Sequence, residues 1–125
     1  MTIALWCVLI AAFLPIVFTG IAKFSGPGFS NRNPRDFQAR LTGFRQRAHA
    51  AHLNSFEAFP PFAAAVVIAH MLGADREWSD GLAMGFIALR LGYGAAYIAD
   101  KPTLRSLLWL GAVLCWVALF VIAAR

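Results

Sequence analysis

The chain has 125 residues, of which 60% are hydrophobic and only 14% are charged, and its mean hydropathy is +0.66. Average globular chains are about 45–50% apolar and about 25% charged, and a small soluble domain buries only about two-thirds of its surface. The composition excludes a disordered chain, which needs low hydrophobicity, and it argues against a soluble domain. We expect one compact membrane-embedded domain over residues 1–125.

Four apolar segments are long enough, or nearly so, to cross a bilayer as helices, which takes about 20 residues each. They cover residues 3–22, 48–72, 82–99 and 104–124. The connections between the later segments are short, and short connections make neighbouring helices antiparallel. The sequence therefore predicts an all-α integral membrane protein, a four-helix transmembrane bundle with up-down topology.

Basic residues are distributed unequally between the predicted loops. Of the 11 Lys and Arg residues, six lie in the first loop and two at the third, whereas the opposite side holds only Arg76 and Arg125. The positive-inside rule then predicts both termini outside and loops one and three in the cytoplasm. Topology and contact with anionic headgroups explain the net charge of +5, so we expect membrane lipid and no nucleic acid as a partner.

The second predicted helix carries polar residues before it becomes apolar. Ionisable groups inside a membrane cost about 2.5–3.5 kcal/mol each on insertion scales, and they usually face a protein interior or a wet cavity. At about 100° per residue, Arg47, Asn54 and Glu57 fall on one face of the helix, and His52 points elsewhere. His49 and His52 lack a third ligand at a suitable spacing, so we expect no metal. The polar cluster is either a binding site or a hydrogen-bonded contact between helices.

The third predicted helix carries a polar stripe, because Arg90, Tyr93 and Tyr97 stand at i, i+3 and i+7. Arg90 is too central to reach water easily and needs a partner, for which Glu57 is the best candidate in the sequence. A buried Glu57–Arg90 pair that only joins two helices is the alternative to a site. Tyr97 also fits an ordinary position at the membrane interface.

The fourth predicted helix has Arg105 and Ser106 in its first turn. A cation there opposes the helix dipole, which favours anions at an N-terminus, and local conflicts of this kind are expected at functional sites. Beside free backbone N–H groups, Arg105 favours the binding of an anion. The alternative is an arginine that only sets topology. On the third helix, Gly92 and Gly94 predict close packing between helices.

Together these residues predict an anion-binding pocket at the cytoplasmic end of the helices. Its mixed polarity suits a zwitterionic ligand with carboxylates and an amine, and its apolar surroundings suit a lipophilic second substrate from the bilayer. The predicted members are Lys23, Arg47, Asn54, Glu57, Arg90, Tyr93, Tyr97, Arg105 and Ser106.

The run from Arg47 to Glu57, which is followed by Pro60 and Pro61, resembles the second-helix signature of the MAPEG family. These are the membrane-associated proteins in eicosanoid and glutathione metabolism. Other motifs resemble those of the family at the right spacing: Thr19-Gly20-x-x-Lys23, Asn33-Pro34, Arg90-x-x-Tyr93-x-x-x-Tyr97 and Arg105-Ser106.

The resemblance implies a homotrimer of four-helix subunits, with glutathione bound between subunits as co-substrate. Arg105 would then stabilise the glutathione thiolate as a catalytic residue, and Ser106 would hydrogen-bond near the sulfur. The remaining pocket residues, with His52 in support, would bind glutathione: Lys23, Arg47, His52, Asn54, Glu57, Arg90, Tyr93 and Tyr97.

The expected function is that of a membrane-bound glutathione-dependent transferase or peroxidase acting on lipophilic electrophiles. The alternative is a non-catalytic lipid-binding protein of the same fold. Ala50 and Leu53 stand where glutathione-using members often carry arginine, and Lys23 stands where arginine is usual; lysine does not form the same bidentate contact. The composition, rich in alanine and arginine, suggests a bacterial inner (cytoplasmic) membrane.

Overall fold

The computed structural model describes residues 1–125 and contains helices and turns but no strand. Three of its helices are long and apolar enough to cross a membrane: α1, α4 and α5. The longest helix, α3, is not apolar enough on average to join these three, because its first half is polar. The five helices are α1 Ile3–Phe24, α2 Pro34–Ala39, α3 Gly43–Met71, α4 Arg76–Ile98 and α5 Pro102–Ala123.

The all-helical prediction is confirmed, and three of the four predicted spans are supported. Three helices begin earlier than predicted: α3 at Gly43 instead of residue 48, α4 at Arg76 instead of residue 82, and α5 at Pro102 instead of residue 104. Hydropathy marks where a helix becomes apolar, whereas capping marks where it begins. At the start of α4, the carboxylate of Asp75 accepts a hydrogen bond from the N–H of Trp78 at 3.0 Å. A fourth span through α3 stays a prediction.

Small residues dominate the contacts between helices. The helix α1 packs mainly on α3, and α4 packs mainly on α5. Fully buried alanines, which include Ala65 and Ala69 of α3 and Ala83 of α4, allow the backbones to approach closely. Between α3 and α4, the rings of Phe62 and Phe86 stack with their centroids 3.8 Å apart. The helices are thus fixed side by side over most of their length.

Gly94 permits the closest of these approaches. The ring of Phe18, from α1, lies against its backbone in the space that a Cβ atom would occupy. Phe18 is buried in the same cluster as Tyr93. The absence of a side chain at Gly94 therefore sets how closely α1 lies to the polar stripe of α4.

Arg45 joins the end of α1 to the start of α3. Its guanidinium donates to the carbonyl oxygens of Ala22, Lys23 and Pro27 at 2.9, 2.8 and 3.1 Å. The last carbonyls of a helix have no partner within the helix, and Arg45 satisfies two of those in α1. The sequence predicted only a topological role for the basic residues of the first loop, and the structure adds a cap on α1 for Arg45.

Asp80 provides the corresponding contact at the opposite end. Its side chain is buried, and its carboxylate accepts the N–H of Ala4 in α1 at 2.7 Å. Its other oxygen lies 3.6 Å from Arg76 Nε. The free N–H groups at a helix N-terminus favour a carboxylate, so Asp80 caps a helix that is distant in sequence.

Replacing Asp80 by alanine should lower the free energy of unfolding by about 1–3 kcal/mol, because a helix N–H loses its charged acceptor in an apolar setting. Asp80→Asn should lose less, since its amide oxygen still accepts. Thermal unfolding in detergent micelles measures the difference. Glu77→Ala, an exposed acid in the first turn of the same helix, is the control. Equal unfolding temperatures for Asp80→Ala and Glu77→Ala would contradict the capping role.

Candidate functional site

Six polar side chains from three helices form a continuous series of contacts, here called the polar network. It extends from the middle of α3, across α4, to the first turn of α5. Its members are Asn54 and Glu57 of α3, Arg90, Tyr93 and Tyr97 of α4, and Arg105 of α5.

Arg90 is the centre of the polar network and is only 1% exposed. Its Nη2 donates to Asn54 Oδ1 at 2.9 Å and lies 3.5 Å from Ser55 Oγ. The guanidinium carbon lies 4.0 Å from the centre of the Tyr93 ring. A cation over an aromatic face is stabilised electrostatically. Arg90 is therefore held by an amide and a ring.

The predicted Glu57–Arg90 ion pair is wrong. The two ion pairs of the molecule join Asp36 to Arg40 and Arg76 to Asp80. The amide of Asn54 lies between the two groups instead: it accepts from Arg90, and its Nδ2 donates to Glu57 Oε2 at 3.1 Å. Asn54 precedes Glu57 by one helical turn on the same face, and its side chain takes the position beside Arg90. The carboxylate of Glu57 is left exposed.

The tyrosine stripe connects this centre to the N-terminus of α5. Tyr93 and Tyr97 meet edge to face with centroids 5.7 Å apart, and the Arg105 guanidinium carbon lies 4.4 Å from the centre of the Tyr97 ring. Arg105 is half-buried and has no carboxylate partner. Ser106 is exposed at the next position. This corner holds a positioned cation whose charge no protein anion neutralises.

Other predicted site residues lie outside the polar network within one chain. The ammonium of Lys23 lies 5.1 Å from the centre of the Phe29 ring. His52 Nδ1 lies 2.7 Å from the carbonyl oxygen of Pro15 in α1, on a different face from Asn54, as the helical spacing predicts.

Arg47 contacts α4 but not the polar network. Its Nε donates to the carbonyl oxygen of Ile98 at 3.1 Å, in the last turn of α4. This contact caps that helix end. Within one chain, the Nε–H group of Arg47 therefore donates to the backbone and not to a residue of the polar network. The arginine lies on the predicted face of α3, but here it acts as a cap.

The model of the MAPEG family matches residues 3–125, which is nearly the whole chain. This chain belongs to the MAPEG family. The predicted resemblance is confirmed. The family match and the three apolar helices together indicate that the chain is an integral membrane protein. Members of this family use glutathione. No curated protein matches the chain, and no solved structure matches it.

Two of the three positions at which the sequence is expected to depart from glutathione-using members, Ala50 and Leu53, lie on α3. Ala50 is half-buried, and the apolar side chain of Leu53 is 49% exposed. Neither offers a charge-assisted hydrogen bond to a carboxylate. Any carboxylate of a ligand here must rely on the cations that the chain retains.

A cleft of about 220 Å³ lies between α3, α4 and α5, beside the polar network. Asn54, Glu57 and Arg90 form its polar part, and Trp109 and Trp116 of α5 line its apolar part. The sequence does not predict this cleft, because its existence depends on how far α5 lies from α3. No group of three potential metal-binding side chains occurs in the molecule.

Proposed function

We propose that the chain is a membrane-bound glutathione-dependent transferase or peroxidase that acts on lipophilic electrophiles. The observation that carries this proposal is Arg105, a cation positioned on Tyr97 without a neutralising anion. Membership of the MAPEG family supports glutathione as the co-substrate. The apolar helices around the polar network suit a second substrate that arrives from the bilayer.

We further propose a homotrimer in which α3 also crosses the membrane, with glutathione bound between subunits. This arrangement gives a role to Lys23 and His52, which do not reach the polar network of their own chain. The basic residues of the first and third loops support a cytoplasmic site with both termini outside. The proposed location is the inner membrane of a bacterium.

In the proposed complex, glutathione is bound through groups of opposite charge. The exposed carboxylate of Glu57 suits its amine, and the hydroxyls of Tyr93 and Tyr97 suit its polar atoms. Lys23 and Arg47 supply cations near the loop end for its two carboxylates. Arg90, which is almost fully buried, positions Asn54 and Tyr93 by the contacts described above.

Arg105 and Ser106 are the proposed catalytic residues. A cysteine thiol with a pKa of about 8.5 is only a few per cent ionised at pH 7, and an adjacent cation lowers such a pKa by about 1–3 units. The thiol proton leaves to water, Arg105 stabilises the thiolate, and Ser106 donates a hydrogen bond near the sulfur. The sulfur lone pair then forms a bond to the electrophile, whose leaving group departs with the bonding electrons.

The decisive experiment is the ultraviolet difference spectrum of glutathione bound to the detergent-solubilised protein near pH 7. The wild type should give a saturable thiolate band. Arg105→Ala should abolish this band. Without the cation the pKa of the bound thiol rises again by about 1–3 units, and the thiol returns to its neutral form. Lys101→Ala removes an exposed cation just before the same helix and should leave the band unchanged. A full band in Arg105→Ala would exclude the proposed role.

A non-catalytic lipid-binding protein of the same fold is the second candidate. Ala50 and Leu53 favour it, because each charge-assisted contact to glutathione that is lost costs about 1.5–3 kcal/mol, or roughly tenfold or more in affinity. The absence of any thiolate band at millimolar glutathione, with the protein folded, would select this function over the first.

A further inference from the structure

A second pocket lies between the short helix α2 and the polar first half of α3, on the face of α3 that carries His52. Its volume is about 400 Å³. The clefts lined by Glu57, Asp75 and Asp80 each contain a carboxylate, whereas no acid lines this pocket. Its charge is therefore positive. Four polar and two apolar side chains form the wall: Arg35, Gln38, His49, His52, Leu53 and Phe56.

The histidines of this pocket are held in place by α1 and by each other. The rings of His49 and His52 stack with centroids 5.8 Å apart, and the ring of Phe56 packs edge-on against His52. His52 Nδ1 lies 2.7 Å from the carbonyl oxygen of Pro15. Since a carbonyl only accepts, this nitrogen carries the proton, and Nε2 of the neutral ring is an acceptor.

The other polar side chains of the wall have donors that the protein does not use. Arg35 has no ion pair, because the neighbouring Asp36 pairs elsewhere. Gln38 is only 7% exposed and donates one N–H to Thr19 Oγ1 at 2.6 Å, which leaves its second N–H. The buried Nδ1 of His49 has no partner, so the proton of its neutral ring belongs on Nε2. Buried polar groups are nearly always hydrogen-bonded, so this wall offers its donors to a ligand.

We propose that this pocket binds a phosphomonoester, with the phosphate held by Arg35 and His49. The guanidinium, the Nε2–H of His49 and the amide of Gln38 donate to its oxygens. The second pKa of such a phosphate is about 6, and that of an imidazole is about 6.5. The last phosphate proton is therefore shared with Nε2 of His52. An ionised carboxylate has no proton to share and only two oxygens for these donors.

The remaining wall and the position of the pocket suit the rest of an ester. Leu53 and Phe56 form an apolar side for its organic part. His49 is six residues from the start of α3, or about 9 Å along the helix, so the pocket lies near the loop end. There a soluble ester and the headgroup of phosphatidic acid present the same chemical group. Arg35 and His49 are not part of the proposed glutathione site, and the proposal does not rest on it.

The test is a calorimetric titration of the detergent-solubilised protein with glycerol 3-phosphate, near pH 7 in a buffer free of phosphate. The wild type should bind saturably. Arg35→Gln should weaken binding tenfold or more, because a charge-assisted hydrogen bond is lost. His49→Phe keeps a ring beside His52 but removes the donor, and it should weaken binding about tenfold. Arg32→Gln, the matched control, removes an exposed cation of the same loop outside the pocket and should leave the affinity unchanged.

Equal affinities of Arg35→Gln and Arg32→Gln would overturn the proposal, since binding would then report only the positive charge of the protein. This comparison stands even if His49→Phe does not fold. Complete displacement of glycerol 3-phosphate by millimolar glutathione would also overturn it, because the pocket would then be part of the glutathione site. The thiolate band of glutathione tests the proposed function separately on the same protein.

Nanodiscs distinguish the two sources of the phosphate. The titration is repeated in discs that contain a minor fraction of phosphatidic acid, a phosphomonoester, or the same fraction of phosphatidylglycerol, an anionic diester that controls for surface charge. Weaker binding of glycerol 3-phosphate in the discs with phosphatidic acid would assign the pocket to the lipid headgroup. Equal binding in both kinds of disc would assign it to a soluble ester.

Discussion

Replacing Asn54 by leucine is expected to lower the free energy of unfolding by about 3–5 kcal/mol, the cost of leaving a buried charge without its partner. Asn54 supplies the one short hydrogen bond to the nearly inaccessible Arg90. Leucine has a similar size but accepts nothing. Asn54→Asp should lose less stability than Asn54→Leu, because its carboxylate gives Arg90 a counter-ion, although it loses the hydrogen bond to Glu57 and lies beside that carboxylate.

Unfolding of the protein in micelles at increasing denaturant fractions measures this effect, with Glu57→Ala as the control. Glu57 is exposed and forms no ion pair with Arg90, so its removal should change stability by only about 0.5 kcal/mol. If Glu57→Ala were as destabilising as Asn54→Leu, the carboxylate would be the true partner of Arg90, as the sequence had suggested.

The second large loss of stability is expected on substitution of Gly94. Gly94→Ala adds a Cβ in the space that the Phe18 ring occupies, so α1 and α4 must separate. Overpacking of this kind typically costs about 1–3 kcal/mol, occasionally more. Phe18→Leu in the same chain should restore part of the loss, because the smaller side chain vacates the space.

The matched control for Gly94→Ala is Gly81→Ala on the same helix. No atom lies within 4 Å of a Cβ built at Gly81, and alanine has the higher helix propensity, so stability should be unchanged or slightly raised. Thermal unfolding of Gly94→Ala, Phe18→Leu, the double variant and Gly81→Ala tests the coupling between Gly94 and Phe18. Additive effects of Gly94→Ala and Phe18→Leu would show that the two residues do not compete for one space.

The class of fold and the order of the polar stripe could be predicted from the sequence because both depend on local spacing. Hydropathy located the apolar parts of α1, α4 and α5. The i, i+3, i+7 spacing placed Arg90, Tyr93 and Tyr97 on one face of α4, where the structure has them in contact. Such periodicity is a property of a single helix and needs no knowledge of its neighbours.

Contacts between helices could not be predicted in the same way. Charge favoured Glu57 as the partner of Arg90, but the relative placement of α3 and α4 brings Asn54 there instead. Arg45 was predicted only as one of the basic residues of the first loop, and Asp80 had no predicted role, although each caps α1 from another helix. The cleft likewise follows from interaxial distances. All of these depend on helix packing, which hydropathy does not encode.

The hydrogen bond between Ala4 and Asp80 has a consequence for biosynthesis. It joins residues 76 positions apart, so the carboxylate leaves the ribosome long after α1. Until α4 is inserted, this backbone N–H at the head of α1 must be satisfied by water or lipid headgroups. This cap of α1 therefore forms only after translation of most of the chain, later than the α3 segment on which α1 mainly packs. An arrested nascent chain that ends before Asp80 should expose the first turn of α1 to hydrogen exchange.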